Sequence, residues 1–312
     1  ALLFLLIIYA AYRYTKTRII LLMRLKTEHE QRVNIENMNQ QKINFFTYIS
    51  HDLKTPLTLI LSPLQRLIQQ PQISNNDKEK LEVIYRNANR INELLTFSKI
   101  EMKQMRISVR KGDIMHFLEE LSHIFDIVAG EREIDFIVNL EDTEEEVWFS
   151  PSKLERILYN LLSNAFKYTQ PGGYVKLSAK LIKEEKGTFV QISVKDNGRG
   201  IPKEAQEQIF ESYYQVEKRD HREGFGLGLS LTRSLIHMHK GEIRVESEIN
   251  KGSDFIVTLN VSEDAYNPDE RSSENITTEE IQKYNQRIKE TIELIPEKLT
   301  NKEKDPARES IM

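Results

Sequence analysis

One histidine and three polar clusters in this chain have the types and spacing to do chemistry. His51 lies in the stretch Phe45 to Leu64, FFTYISHDLKTPLTLILSPL. Asp52 follows it directly and could hydrogen-bond one ring nitrogen, favouring the tautomer whose other nitrogen keeps a free lone pair for nucleophilic attack. Thr55 lies one turn on, beside His51, and Pro56 removes a backbone donor just past the histidine. Further along, Asn160, Asn164, Lys167 and Tyr168 recur at steps of three and four and share one face of a helix. Two carboxamides and an ammonium suit a hydrated Mg²⁺ and a phosphate chain: oxygen ligands satisfy the ion, and lysine adds a point charge. In DNGRGI, Asp196 to Ile201, Gly198 and Gly200 would let the backbone approach a planar ligand. Asp196 could accept a hydrogen bond from an exocyclic amine such as that of adenine. In GFGLGLS, Gly224 to Ser230, glycines at a helix start bring backbone N–H groups close to phosphate. Taken singly, each is more often a surface histidine, a wet polar stripe or a glycine turn.

These groups need elements that aim them. On a helical wheel Phe46, Ile49, Leu53, Leu57, Ile60, Leu64 and Leu67 stay within roughly 40° of a common line, with His51 about 160° away. The apolar line is a packing seam, and the imidazole faces outward. After the turn-rich QQPQISNND, a second seam runs through Leu81, Ile84, Ala88, Ile91, Leu95, Ser98 and Met102. One antiparallel hairpin leaves each seam half covered, so two copies are expected to close a four-helix bundle, a homodimer formed by residues 45–105. From about Arg106 the pattern mixes helix and strand. Helices are predicted at Ile114 to Val128, Pro151 to Tyr168 and Leu227 to His239. Strands are predicted at Ile134 to Leu140, Tyr174 to Leu181, Phe189 to Val194, Glu242 to Glu248 and Ser253 to Asn260. The fold class is therefore α+β, the helical hairpin followed by a sandwich of one sheet with helices on one face.

The chain has 312 residues, enough for roughly two cored domains. Its net charge of -4 gives no electrostatic case for nucleic acid binding in this segment. Cysteine is absent, which excludes disulfides, thiolate metal sites and cysteine nucleophiles. The opening run ALLFLLIIYAAY rises only about 18 Å, short of a hydrocarbon core of about 30 Å. It reads as the C-terminal part of a transmembrane helix, residues 1–14, that begins before Ala1. Tyr9, Tyr12 and Tyr14 would sit at the interface, and Arg13, Lys16, Arg18, Arg24 and Lys26 would mark the cytoplasmic side. A signal peptide would need basic residues before the run and a cleavage site after it; a buried soluble helix is the other reading. Residues 15–44, free of Gly and Pro, form a signalling helix or a plain solvated spacer. Residues 263–312 are charged and poor in aromatics, a linker that should not build a core, with a helix over Thr278 to Leu294.

F-x-x-x-I-S-H-D-L-K-T-P-L resembles the phosphoacceptor box of sensor histidine kinases, with every position filled. The order Asn160/Asn164, DxGxG, IFESYY (Ile209 to Tyr214) and GxGLGLS resembles the N, G1, F and G2 boxes of the ATP-binding domain shared by histidine kinases and gyrase-type ATPases. The likeness covers residues from about 45 to 262, and the wording around His51 is similar to that of hybrid sensors of gut Bacteroidetes. A Rossmann fingerprint fails because no strand leads into the glycines, and a Walker A loop fails because no G-K-[ST] closes it. The resemblance implies a catalytic ATP-binding domain over 106–262, with ATP and Mg²⁺ as cofactors. Asn164 would ligate Mg²⁺, while Asn160 and Lys167 would contact phosphate. Asp196 would read adenine, and Tyr168, Gly198, Gly200, Ile201, Phe210, Gly224, Gly226, Leu227, Gly228 and Leu229 would complete the pocket. It further implies autophosphorylation of His51 with Asp52 orienting the ring, transfer to a response-regulator aspartate in cis or in trans, and a role for Thr55 in dephosphorylating that regulator. The location implied is the cytoplasmic face of the inner membrane. Phe225 and Ser150 depart from the usual small or polar residue and Asp. An ATP-driven clamp would need a water-activating carboxylate on the helix of Asn160 and no H-D-x-K-T-P box; neither holds. A kinase-dead membrane scaffold would show damaged glycine boxes.

Overall fold

The structure is a computed structural model that describes residues 73–102, 105–143, 145–215 and 226–292, with single residues and short groups between Tyr9 and Ile68. His51, Asp52, Thr55, Gly224, Phe225, most of the expected transmembrane and signalling helices, and residues 293–312 lie outside the described residues. The chain divides into two compact units, Ala1–Thr55 and Pro56–Met312. In the first, Tyr9, Tyr12, Tyr14, Leu21, Met23 and Met38 are helical and exposed. Among the described residues no helix is long and apolar enough to cross a membrane.

The second unit opens with a helical hairpin. The described residues between 56 and 68, here called α1, are helical, and α2 spans Asn75–Glu101. Ser74 caps α2, its hydroxyl accepting the Asp77 N–H at 3.2 Å, which satisfies one of the helix's open donors. Each expected seam splits in two. Leu64 and Ile68 of α1 bury against Tyr85 of α2, with Leu61 and Leu81 alongside. Ile60 and Leu67 on α1, and Ile84 and Ile91 on α2, remain 40–49% exposed in the single chain.

Next come β1 (Arg110–Asp113), α3 (Ile114–Arg132), β2 (Asp135–Leu140), β3 (Glu146–Phe149), α4 (Pro151–Tyr168), β4 (Tyr174–Glu184) and β5 (Gly187–Asp196). The last elements are α5 (Gly228–Met238), β6 (Glu242–Glu248), β7 (Gly252–Asn260) and α6 (Thr278–Ile292). Five strands form a mixed sheet in the order β2-β4-β5-β7-β6, and β1 pairs β3 separately. Within this sheet β2 and β4 run parallel and the other neighbouring strands antiparallel.

Strand alternation decides what the sheet buries. Val175, Leu177 and Ala179 of β4 stand opposite Asp196, Val194 and Ile192 of β5, and Val194, Ile192 and Val190 stand opposite Phe255, Val257 and Leu259 of β7. All of these point inward, onto Phe117, Leu121 and Phe125 of α3, Leu154, Leu158 and Phe166 of α4, and Leu231 and Leu235 of α5. The opposite face carries Lys176, Ser178, Lys180, Gln191, Ser193 and Lys195 and is more open, as expected of a sheet covered on one side.

Differences from the sequence reading concern boundaries, a missed strand pair and the organisation of the segment after Ser262. The helix expected to end at Val128 continues to Arg132, because Gly130 does not stop it and the left-handed residue falls at Glu133 (φ 55°). The short β1–β3 pair went unpredicted; its four-residue strands carry too little alternation. More consequential is the segment after Ser262, expected to stay outside any core. Tyr266, Ile281 and Ile288 are buried, and Tyr284 meets Phe117 edge-on at 5.9 Å. Ile281, Tyr284 and Ile288 lie three and four apart, a narrow stripe that average composition conceals.

A buried histidine ties the end of α5 to the start of α4. His239 Nδ1–H donates to the Leu235 carbonyl at 2.9 Å, and Nε2 accepts the Ser150 N–H at 3.2 Å. Both nitrogens are thereby committed in the neutral ring, and burial pushes the imidazole down to about 4. Above the unfolded value near 6.5 the ring is neutral in both states and its contribution is complete; as pH falls below that, the unfolded chain takes the proton first and stability is lost until about 4. Urea unfolding should show wild type losing about 2 kcal/mol more than His239→Gln between pH 7 and pH 5. Equal losses in the two proteins would refute the buried neutral assignment.

Candidate functional site

The candidate pocket is built where α4, the end of β5 and the start of α5 converge. α4 turns Leu154, Ile157, Leu158, Leu161, Leu162, Ala165 and Phe166 into the core, leaving Asn160, Asn164, Lys167 and Tyr168 half-buried along its other side. Pro151 occupies its first turn, where a missing N–H costs nothing, and Ser150 gives no side-chain cap.

Asn160 donates an amide proton to Thr232 Oγ1 at 2.7 Å, joining α4 to α5. Its carbonyl oxygen is close to Gly228: a Cβ there would lie 2.6 Å from Oδ1. Glycine at 228 is thus required by a neighbour's approach. The half-buried side chain of Asn164 makes no hydrogen bond to a described residue, which leaves its carboxamide oxygen available to an oxygen-seeking cation. Lys167 Nζ donates to the Tyr168 hydroxyl at 3.1 Å, and the Arg199 guanidinium lies 4.2 Å from the Tyr168 ring centroid.

Asp196 is the inward-facing residue that ends the β5 series Val190, Ile192, Val194. Only 5% exposed, its carboxylate accepts the Gly198 N–H at 2.8 Å. Burial holds its pKa above the ordinary aspartate value, opposed by N–H bonds from Gly198 and Ser253. A buried acceptor of this kind discriminates sharply, because any ligand lacking a matching donor leaves it unsatisfied. The loop after it is compressed onto other backbone. Gly198 faces the Tyr168 carbonyl, and Gly200, at φ 70°, faces that of Glu248. No side chain fits at either.

Beyond Ile201, whose N–H donates to Ser247 Oγ at 2.8 Å, the chain passes through short turns to Phe210. Phe210 is buried edge-on to Phe255, 6.4 Å between centroids, so its ring packs the segment in place. Tyr213 N–H donates to the Gly226 carbonyl at 3.0 Å, drawing together the two ends of residues 214–225. Both residues have positive φ. α5 then begins at Gly228, after the buried Leu227, with no side-chain cap. Its first N–H groups point out of the helix start, an arrangement that suits an anion. Leu229 packs at the edge of the core.

The structure therefore gathers Asn160, Asn164, Lys167, Tyr168, Asp196, Gly198, Gly200, Gly226 and Gly228 around one region, with Phe210, Leu227 and Leu229 as their packing. Sequence reasoning overlooked Thr232 and Arg199. Thr232 was detectable as the residue one turn after Gly228 on the same helix face; nothing in the sequence marks Arg199 as a partner for Tyr168.

Residues 41–102 match the His Kinase A (phospho-acceptor) domain, and residues 150–263 match the histidine kinase-, DNA gyrase B- and HSP90-like ATPase family. Histidine kinase P4 of Formosa agariphila is 33% identical over 309 residues, which cover 95% of this chain and 22% of that protein. The sensor histidine kinase WalK of Bacillus subtilis is 32% identical over 236 residues, 73% of this chain and 38% of its own. Among solved structures, full-length ShkA in complex with AMPPNP shares the fold with a TM-score of 0.57 at 24% identity, over 70% of this chain and 45% of that one. The chain spans less than half the length of either curated relative. With an acceptor-type hairpin preceding a glycine-lined ATPase-type domain, both matched in that order, the chain belongs to the sensor histidine kinase family.

Proposed function

We propose that this chain is the catalytic core of a two-component kinase that transfers the γ-phosphoryl group of ATP to His51. The observation that carries this reading is the joint presence of a buried carboxylate at the end of β5, Asp196, and a half-buried stripe on α4, Asn160, Asn164 and Lys167, that carries no carboxylate. At the position where gyrase-type relatives carry a water-activating acid stands Asn160, its amide bonded to Thr232. Water in the pocket has no general base there, and the phosphoryl group survives until an imidazole reaches it.

In the proposed step, an imidazole nitrogen of His51 attacks the γ-phosphorus. An N–P bond forms, the bond to the bridging oxygen breaks, ADP leaves, and Asp52 accepts the ring proton. The phosphoramidate then passes to a response-regulator aspartate. Asn164 suits Mg²⁺, which when bound supplies charge neutralisation at the phosphates. Lys167 and the helix start at Gly228 add positive potential, and Asp196 accepts from the adenine amine. Thr55 positions water for the reverse reaction on the regulator.

The exposed stripe of Ile60, Leu67, Ile84 and Ile91 supports a homodimer, since a second hairpin is the partner that would cover it. The apolar run before Arg13, followed by basic residues, supports a membrane-anchored protein with its kinase core in the cytoplasm.

Two experiments test the reading. Incubation with γ-³²P-ATP should give acid-labile, base-stable label that His51→Ala abolishes; equal labelling of that variant sinks the mechanism. Asp196→Asn should keep the fold yet weaken ATP-analogue binding by roughly ten- to a hundredfold, the worth of a charged hydrogen bond. Unchanged affinity would remove Asp196 from the adenine site.

A further inference from the structure

The segment that follows the ATPase-family match does more than fill space. That match ends at residue 263, and the chain then runs back over the connector that joins α2 to the catalytic domain. Val109 N–H donates to the Glu270 carbonyl at 2.8 Å, and the Ser272 N–H returns a bond to the Val109 carbonyl at 2.9 Å. Val109 and Arg271 form a parallel bridge. Beneath them Ile107, Val109 and Tyr266 make a small core of their own with Trp148 and Met238 at its edge. Ile276 sits so close to Gly112 that a Cβ there would lie 2.8 Å from its Cδ1. Arg110 and Glu280 then form a half-buried ion pair at 2.6 Å, and Ile281 and Ile288 of α6 bury in the main core.

We propose that residues 266–292 are a clamp that locks connector residues 107–109, just before β1, onto the catalytic domain and so sets how far that domain ranges from His51; this rests on the kinase reading above. Five residues, 102–106, separate the end of α2 from the first clamped position. With the clamp released, the free connector grows to eight residues, 102–109, because β1 stays paired to β3. Effective concentration across a flexible tether falls with about the −3/2 power of its length, so release lowers the rate of phosphoryl transfer by roughly twofold with no change in the pocket.

The clamp also carries a weak point suited to release. Among the described residues the buried carboxamide oxygen of Asn285, on α6, meets no hydrogen-bond partner. An unsatisfied buried acceptor opposes docking, so α6 is held less firmly than its apolar stripe allows.

The test reads three quantities on wild type, Glu280→Arg, the exchanged pair Arg110→Glu with Glu280→Arg, and Asn285→Leu: hydrogen exchange of the Val109, Ser272 and Ile276 amides, affinity for an ATP analogue, and initial rate of label incorporation. Glu280→Arg should speed exchange at those amides and slow labelling by up to about twofold at unchanged nucleotide affinity. The exchanged pair should restore both, and Asn285→Leu should slow exchange below the wild-type rate. Unaltered exchange in Glu280→Arg overturns the clamp. Faster exchange with wild-type labelling overturns its link to phosphoryl transfer, and a parallel loss of nucleotide affinity reduces it to a structural strut. Wild type that takes no label overturns the kinase reading instead, and exchange alone then decides the clamp.

Discussion

The pocket depends on a carboxylate placed where carboxylates are costly. Asp196 ends a strand whose inward residues are otherwise Val190, Ile192 and Val194, so the two-residue period of β5 drives it under the helices with them. Burial raises its pKa, and backbone N–H groups from Gly198 and Ser253 offset part of that penalty. The glycines around it follow from the same constraint. For Gly198 to donate to this carboxylate the loop must press against the Tyr168 carbonyl, and Gly200 must take a left-handed conformation against Glu248. DxGxG is thus one requirement expressed at three positions: a desolvated acceptor, the N–H that steadies it, and a turn that leaves room for a flat ligand.

α4 and α5 show a similar economy. Asn160 joins the two helices through Thr232 while its oxygen fixes the size of residue 228. His239 and Ser150 join the end of α5 to the start of α4. The helix pair is therefore cross-braced at two levels by single polar contacts. These hold the uncapped start of α5 beside the carboxamide stripe of α4, as an anion site with a fixed geometry requires.

Much of this was legible in the sequence because it rests on short-range patterns. Pro151 to Tyr168 was bounded by a proline at one end and the loss of apolar period at the other, and Glu242 to Glu248 by strict alternation. The pocket residues were readable because glycines and carboxamides stand out at fixed spacing. What escaped depends on contacts across long separations. The role of the segment after Ser262 turns on Glu280 meeting Arg110 and on Ile276 meeting Gly112, and no local window holds both members of either pair. The splitting of the hairpin seams was hidden for another reason. A wheel shows that Leu57, Ile60, Leu64 and Leu67 lie along one broad stripe, but only packing shows that Leu64 meets its own chain's Tyr85 while Ile60 and Leu67 do not.

That split bears on how one hairpin serves two ends. A single wide stripe would place its whole apolar surface in one interface and leave the hairpin without cohesion of its own. Dividing it gives each hairpin an internal core of Leu64, Ile68 and Tyr85 and keeps Ile60, Leu67, Ile84 and Ile91 for a second surface. At the far end of α2, Phe97 leaves the hairpin altogether and meets Tyr213 edge-on at 6.3 Å, beside the Tyr213–Gly226 hydrogen bond that gathers the glycine loop. One helix thus contributes to the hairpin core, an exposed apolar stripe and the base of the pocket's loop in succession. A shift of α2 along its axis would be felt at all three, because ring contacts and interdigitated side chains exchange between discrete arrangements instead of stretching.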